Sequence, residues 1–142
     1  HKKEEVPQEQ EEQEVVVQEV QKRVYQDGIY QLEELDYNPE GWRAVFTIRV
    51  EDSVIVDSDF DYVSAQGQRQ SEDIDYHELM EDKAGYGPLD IIPYLNTMLI
   101  NHQSLDQVTV LDGAVEITQQ FKQYGEALLN AAERGDTTLI RR

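Results

Sequence analysis

Nine residues near the middle of the chain leave little freedom for what it can become. From Trp42 to Val50 the apolar side chains Trp42, Ala44, Phe46, Ile48 and Val50 fall on every second position, with Arg43, Thr47 and Arg49 among those between. Successive side chains of a strand point to opposite faces, so this run is a strand with one buried and one wet face. Short turns flank it: Asn38-Pro39-Glu40-Gly41 before and Glu51-Asp52-Ser53 after. They are too short for crossovers, so the neighbouring strands pair antiparallel. Those neighbours are Tyr25-Gln26-Asp27-Gly28-Ile29-Tyr30 continued to Leu35, and Val54-Ile55-Val56 continued to Val63.

A sheet apolar on one face needs a cover, and three helical segments follow. Ser71 is expected to cap a short acidic helix from about Asp73 to Lys83, with Ile74, Tyr76, Leu79 and Met80 on its apolar side. After Gly85-Tyr86-Gly87-Pro88, a second helix starts near Asp90. It carries Pro93 in its first turn and turns Ile92, Leu95 and Leu99 inward. Val108-Thr109-Val110 reads as a fourth strand, running through Leu111-Asp112-Gly113-Ala114 into a third helix. Ile117, Phe121, Tyr124, Leu128 and Ala131 recur there at spacings of three and four. Asp112 is expected to cap this helix and Gly135 to end it. The order β-β-β-α-α-β-α predicts an α+β domain, an antiparallel sheet with helices packed on it, over residues 25–135. A Glu/Gln-rich tether over residues 1–24 precedes it and a tail over residues 136–142 follows.

Charge narrows the function. Twelve Lys and Arg against 30 Asp and Glu give a formal net charge of −18 over 142 residues. Nucleic acid and anionic membrane surfaces both require basic patches, so neither is an expected partner. No apolar run approaches the ~20 residues of a membrane span. The absence of cysteine removes disulfides and thiol chemistry. The opening His1-Lys2-Lys3, in place of Met, is expected to be what remains after a signal or lipid-anchoring segment has been removed.

Candidate chemistry is sparse. A helix start turns unpaired N–H groups toward one point and can hold an anion, which singles out Asp112, Gly113, Ala114 and Val115. His77 with Asp73, Asp75 and Glu78 could bind a metal but reads better as acidic helix surface. Asp57, Asp59 and Asp61 alternate along one strand and read as a solvated face, since no calcium-loop pattern follows. Arg134-Gly135-Asp136 spells an integrin tripeptide at what is expected to be an ordinary helix stop. Trp42, Tyr30, Tyr37 and Tyr86 could line a flavin-sized cleft, although aromatic residues at strand starts are more often core. No Ser-His-Asp or paired-carboxylate spacing supports catalysis.

Taken in order, Tyr25-Gln26-Asp27-Gly28-Ile29-Tyr30, the Ser71 to Met80 segment, the Leu-rich helix and Val108…Gly113-Ala114 before a final helix resemble the FMN-binding domain family. Within that family they are nearest to small lipoproteins on the surface of Gram-positive bacteria. The resemblance covers about residues 25 to 134. In flavinylated members the β-run ends approximately Val-Asp-Ala-Val-Ser-Gly-Ala-Thr, and the final Thr carries FMN through a phosphoester. Here Val108, Gly113 and Ala114 match, while Thr109 replaces the Asp, Asp112 the Ser and Val115 the acceptor Thr. Valine has no oxygen to bond to phosphorus. The nearest hydroxyl, Thr118, lies about 4.5 Å further along the helix axis.

Asp112 as a cap would oppose a phosphate as well. Like charges ~4 Å apart repel by about 4 kcal/mol at an effective dielectric of ~20. A helix terminus contributes only ~0.3–2 kcal/mol in the other direction. The resemblance thus implies an exported, membrane-anchored, extracellular module, not an enzyme, that has lost its covalent cofactor and meets a protein partner at the cell surface. The alternative it implies is an electron-transfer protein that binds FMN without a covalent bond.

Overall fold

A computed structural model describes residues 23–142; the expected tether over residues 1–24 lies almost wholly outside the described residues. The fold is α+β, with a four-stranded sheet of order β3-β2-β1-β4. Its strands are β1 (Gly28–Glu33), β2 (Trp42–Glu51), β3 (Val54–Ser64) and β4 (Ile140–Arg141). The first three pair antiparallel, as the short turns require, and Asp52 and Ser53 take positive φ in the tight turn between β2 and β3. One transverse row of the inner face runs Leu32–Phe46–Phe60, directly opposite one another and fully buried.

Three helices cover that face: α1 (Ile74–Ala84), α2 (Pro88–His102) and α3 (Val115–Arg134), with a short 3-10 turn at Gln70–Glu72. The rings of Phe46 and Phe121 stack at 5.1 Å, and Phe60 meets Phe121 edge-on at 5.3 Å, joining α3 to the centre of the sheet. Asn96 of α2 and Gln103, which caps the end of that helix, treat β3 as a neighbouring strand would. The Asn96 amide accepts from Phe60 N–H at 2.8 Å and donates to Phe60 C=O at 3.1 Å. Gln103 does the same to Ile55 at 2.8 and 2.9 Å. Part of an otherwise open sheet edge is closed in this way.

Five local expectations are corrected. Val108 to Val110 form no strand: β1's free edge is taken by β4, which pairs parallel to it with Leu32 opposite Ile140, so the run has no ladder to join. The segment over residues 136–142 therefore contributes to the sheet instead of hanging from it as a tail. Asp73, not Ser71, caps α1, accepting from Tyr76 N–H at 3.0 Å. The second helix starts at Pro88, which takes the tolerated first position and leaves Pro93 inside the helix beyond the first turn. The last helix starts at Val115 with Ala114 as N-cap, so Asp112 lies two residues outside that position and makes no capping bond. Gly135 ends α3 as expected, in left-handed conformation at φ 69°.

Candidate functional site

The starts of α2 and α3 and the inward side of α1 surround a cleft of about 760 Å³. Gly113, Ala114, Val115 and Glu116 bring the start of α3 to it. Tyr62, Tyr76 and Tyr86 supply aromatic surface, and Met80, Pro88, Ile91 and Ile117 supply apolar surface. Lys83 is the one basic side chain among the described lining residues.

Three of the five residues singled out from the sequence meet here. Asp112 is exposed and does not line the cleft. Thr118 is buried under the first turn of α3, its hydroxyl donating to Ala114 C=O at 2.6 Å, so it is not presented to a ligand. Because Asp112 does not cap, its carboxylate is not bonded to the first-turn N–H groups, and the repulsion argued from a capping position loses its premise. No side chain caps α3 among the described residues. A helix whose first N–H groups have no side-chain acceptor favours an anion there.

Gly113 is explained by packing rather than by a ligand. Its φ is 82°, and a Cβ at this position would stand 2.6 Å from the carbonyl oxygen of Ala84 at the end of α1. The loop before α3 and the end of α1 touch backbone to backbone, which fixes one side of the cleft.

A polar chain joins this wall to the sheet. Tyr62 OH donates to Gln120 Oε1, and Gln120 Nε2 donates to Glu34 Oε2 at 3.2 Å and to Tyr124 Oη at 3.3 Å. Tyr124 OH donates to the same Glu34 oxygen at 2.7 Å, and Glu34 Oε1 accepts from Ala44 N–H at 2.6 Å. Burial first, then the Glu34 charge, pushes the Tyr62 phenol up. Burial, the hydrogen bond to Glu34 and its charge push Tyr124 up to about 12.

Of the four aromatic residues weighed for a flavin cleft, only Tyr86 lines it. Tyr30 is core, its hydroxyl donating to Gln26 C=O at 2.6 Å; Tyr37 is exposed beneath Arg43; Trp42 is buried against Tyr76 at 5.4 Å. Tyr62, Tyr76 and Gln120 were not singled out as site residues in the sequence, because nothing in local spacing shows which strand end and which helix faces will meet.

The other candidates resolve differently. Asp61 is not on a solvated face. It is fully buried, accepting from Tyr62 N–H at 2.8 Å, Ser71 N–H at 3.1 Å and Arg69 Nε at 3.0 Å. Arg69 also reaches Asp59, so the pair anchors the 3-10 turn. His77 lies with Glu81 and Asp90, their ligand atoms within 4.8 Å of one another. Yet His77 Nδ1 accepts from Leu89 N–H at 3.2 Å, which leaves the neutral ring's proton on Nε2. Nε2 lies 3.4 Å from Glu81 and 3.8 Å from Asp90, so in this arrangement the carboxylates face a ring N–H rather than a lone pair that a metal could use. His77 thus satisfies an N–H at the start of α2, where Gly87 has no side chain to do so.

No helix of the described residues is long and apolar enough to cross a membrane. No family model matches the chain. It is similar to a 15 kDa lipoprotein of Treponema pallidum, 30% identical over 114 residues that cover 80% of this chain and 81% of that protein. It is also similar to a protein from Clostridium perfringens whose crystal structure aligns with a TM-score of 0.77 at 31% identity, covering 83% of this chain and 97% of that one.

Proposed function

Because the chain belongs to the family of the 15 kDa lipoprotein of Treponema pallidum, we propose that it is a lipid-anchored surface module, not an enzyme, whose cleft reversibly holds a planar anionic ligand. FMN is the leading candidate. The observation that carries this reading is the meeting of a cleft of about 760 Å³ with the start of a helix that no described side chain caps. Pockets for cofactor-sized molecules run ~300–1,000 Å³ and are mostly apolar with a few placed polar groups. Tyrosine faces accept a flat ring, and the α3 start with Lys83 suits a phosphate. The bond would be non-covalent, since Val115 stands where flavinylated proteins of the resembled family carry threonine.

Against this stands the reading of a cofactor-free accessory module that works through a protein partner at the cell surface. The net charge of −18 and the Glu116 carboxylate beside the α3 start favour that second reading, because both oppose an anion.

Titration separates the two. With FMN bound, its fluorescence is quenched to saturation at one flavin per chain. The melting temperature also climbs with ligand, the stabilisation reaching ~2.7 kcal/mol at a hundredfold excess over Kd. If quenching and melting temperature stay flat up to millimolar FMN, the accessory reading stands. After co-expression with a flavin transferase the mass is expected to be that of the bare polypeptide. A gain of one flavin would overturn the assignment of Val115.

A further inference from the structure

The Tyr62–Gln120–Glu34–Tyr124 chain has a direction, and the direction has a consequence for what the cleft admits. The Glu34 carboxylate accepts from Ala44 N–H, Tyr124 OH and Gln120 Nε2. Turning the Gln120 amide over would set oxygen against carboxylate, so the amide has one orientation. Nε2 is then turned away toward Glu34 and the Tyr124 oxygen, its donors engaged there. Oε1 faces Tyr62 and takes its hydroxyl proton. Burial keeps that phenol protonated, so the proton stays where it is. Tyr62 and Gln120 both line the cleft, and lone pairs on Tyr62 Oη and Gln120 Oε1 are what this stretch of wall retains for a ligand.

We propose that Tyr62 and Gln120 make this part of the cleft wall acceptor-only, so that the ligand selected carries an N–H donor on the edge of its ring, and N-alkylated analogues are refused. A donor left facing apolar surface, or an acceptor placed against these oxygens, forfeits a buried hydrogen bond, which is the kind of mismatch that discriminates strongly. The proposal rests on the ligand-binding reading above and adds the polarity of the ring edge to it.

The test compares FMN, whose ring carries an imide N–H, with its N3-methyl analogue, in the full chain and in Tyr62→Phe/Gln120→Leu. FMN is expected to bind the parent at least about tenfold more tightly than the methylated form. In Tyr62→Phe/Gln120→Leu the two should bind within about twofold of each other, since both acceptors are gone and the ring face kept. Equal or tighter binding of the N3-methyl form by the parent overturns the proposal. So does a preference that survives in a folded Tyr62→Phe/Gln120→Leu. Should that variant not fold, the comparison within the parent decides.

Should FMN itself not bind, the flavin assignment fails separately. Uracil and 1,3-dimethyluracil at millimolar concentration then serve as probes, read on the Gln120 side-chain amide resonances. Movement with uracil alone upholds the acceptor wall; movement with both, or with neither, refutes it.

Discussion

At Gly113 two restrictions coincide, a φ of 82° and the Ala84 carbonyl where a Cβ would go. Gly67 shares the first restriction, at φ 81°, but has open space around it. Gly67→Ala is therefore expected to lose only the backbone part, about 1 kcal/mol, and Gly113→Ala clearly more, about 2–3 kcal/mol. Urea midpoints at constant slope measure both; equal losses would mean that the contact with α1 relaxes freely.

Tyr124 makes a different prediction. Its phenol titrates near 12 in the folded chain against an ordinary value of 10, so the native state keeps a proton that the unfolded state releases. The stabilisation is complete below pH 10 and is lost as pH rises toward 12, on the order of 2–3 kcal/mol in all. Tyr62 is shifted in the same direction and steepens the fall. Denaturation series from pH 9 to 11.5 should show stability dropping in the parent and dropping less in Tyr124→Phe.

Among the helices, α1 is the least secured: none of its residues is buried, and Ile74 and Leu79 of its expected apolar side are half-exposed or more. It is held by the Asp73 cap, the Trp42–Tyr76 contact and the His77 bond to the start of α2. Amide exchange is expected to be faster throughout α1 than in the middle of α2 or α3, and to slow in α1 when a ligand occupies the cleft it borders. Uniform protection across the three helices would contradict this.

The same helix marks where sequence reading loses its grip. The alternation of Trp42 to Val50 was legible because a strand's burial is written into its own side chains, and α3's stripe was legible for the same reason. Val108-Thr109-Val110 has the composition of a strand, but pairing is decided by which edge is free, and Ile140 had already claimed it. A two-residue strand leaves no periodic trace, so the C-terminal segment read as a tail. Gly113 to Val115 were found because a turn before a helix has local chemistry. Tyr62, Tyr76 and Gln120 were not, since they meet only after β3, α1 and α3 have packed.

Across the whole molecule, 18 surplus negative charges repel one another over distances that salt screens to ~8–10 Å at physiological strength. Compaction concentrates that repulsion, so the melting temperature is expected to rise between 10 and 200 mM NaCl. A scanning-calorimetry series checks it, and a flat or falling profile would place the charges too far apart to matter. The field also reaches outward. An anionic visitor to the uncapped α3 start must climb an unfavourable potential before it meets Lys83. Added electrolyte would then hasten its capture, the reverse of what electrostatic steering gives oppositely charged pairs. In dilute medium the entrance is guarded by the body of the protein, and in brine the guard stands down.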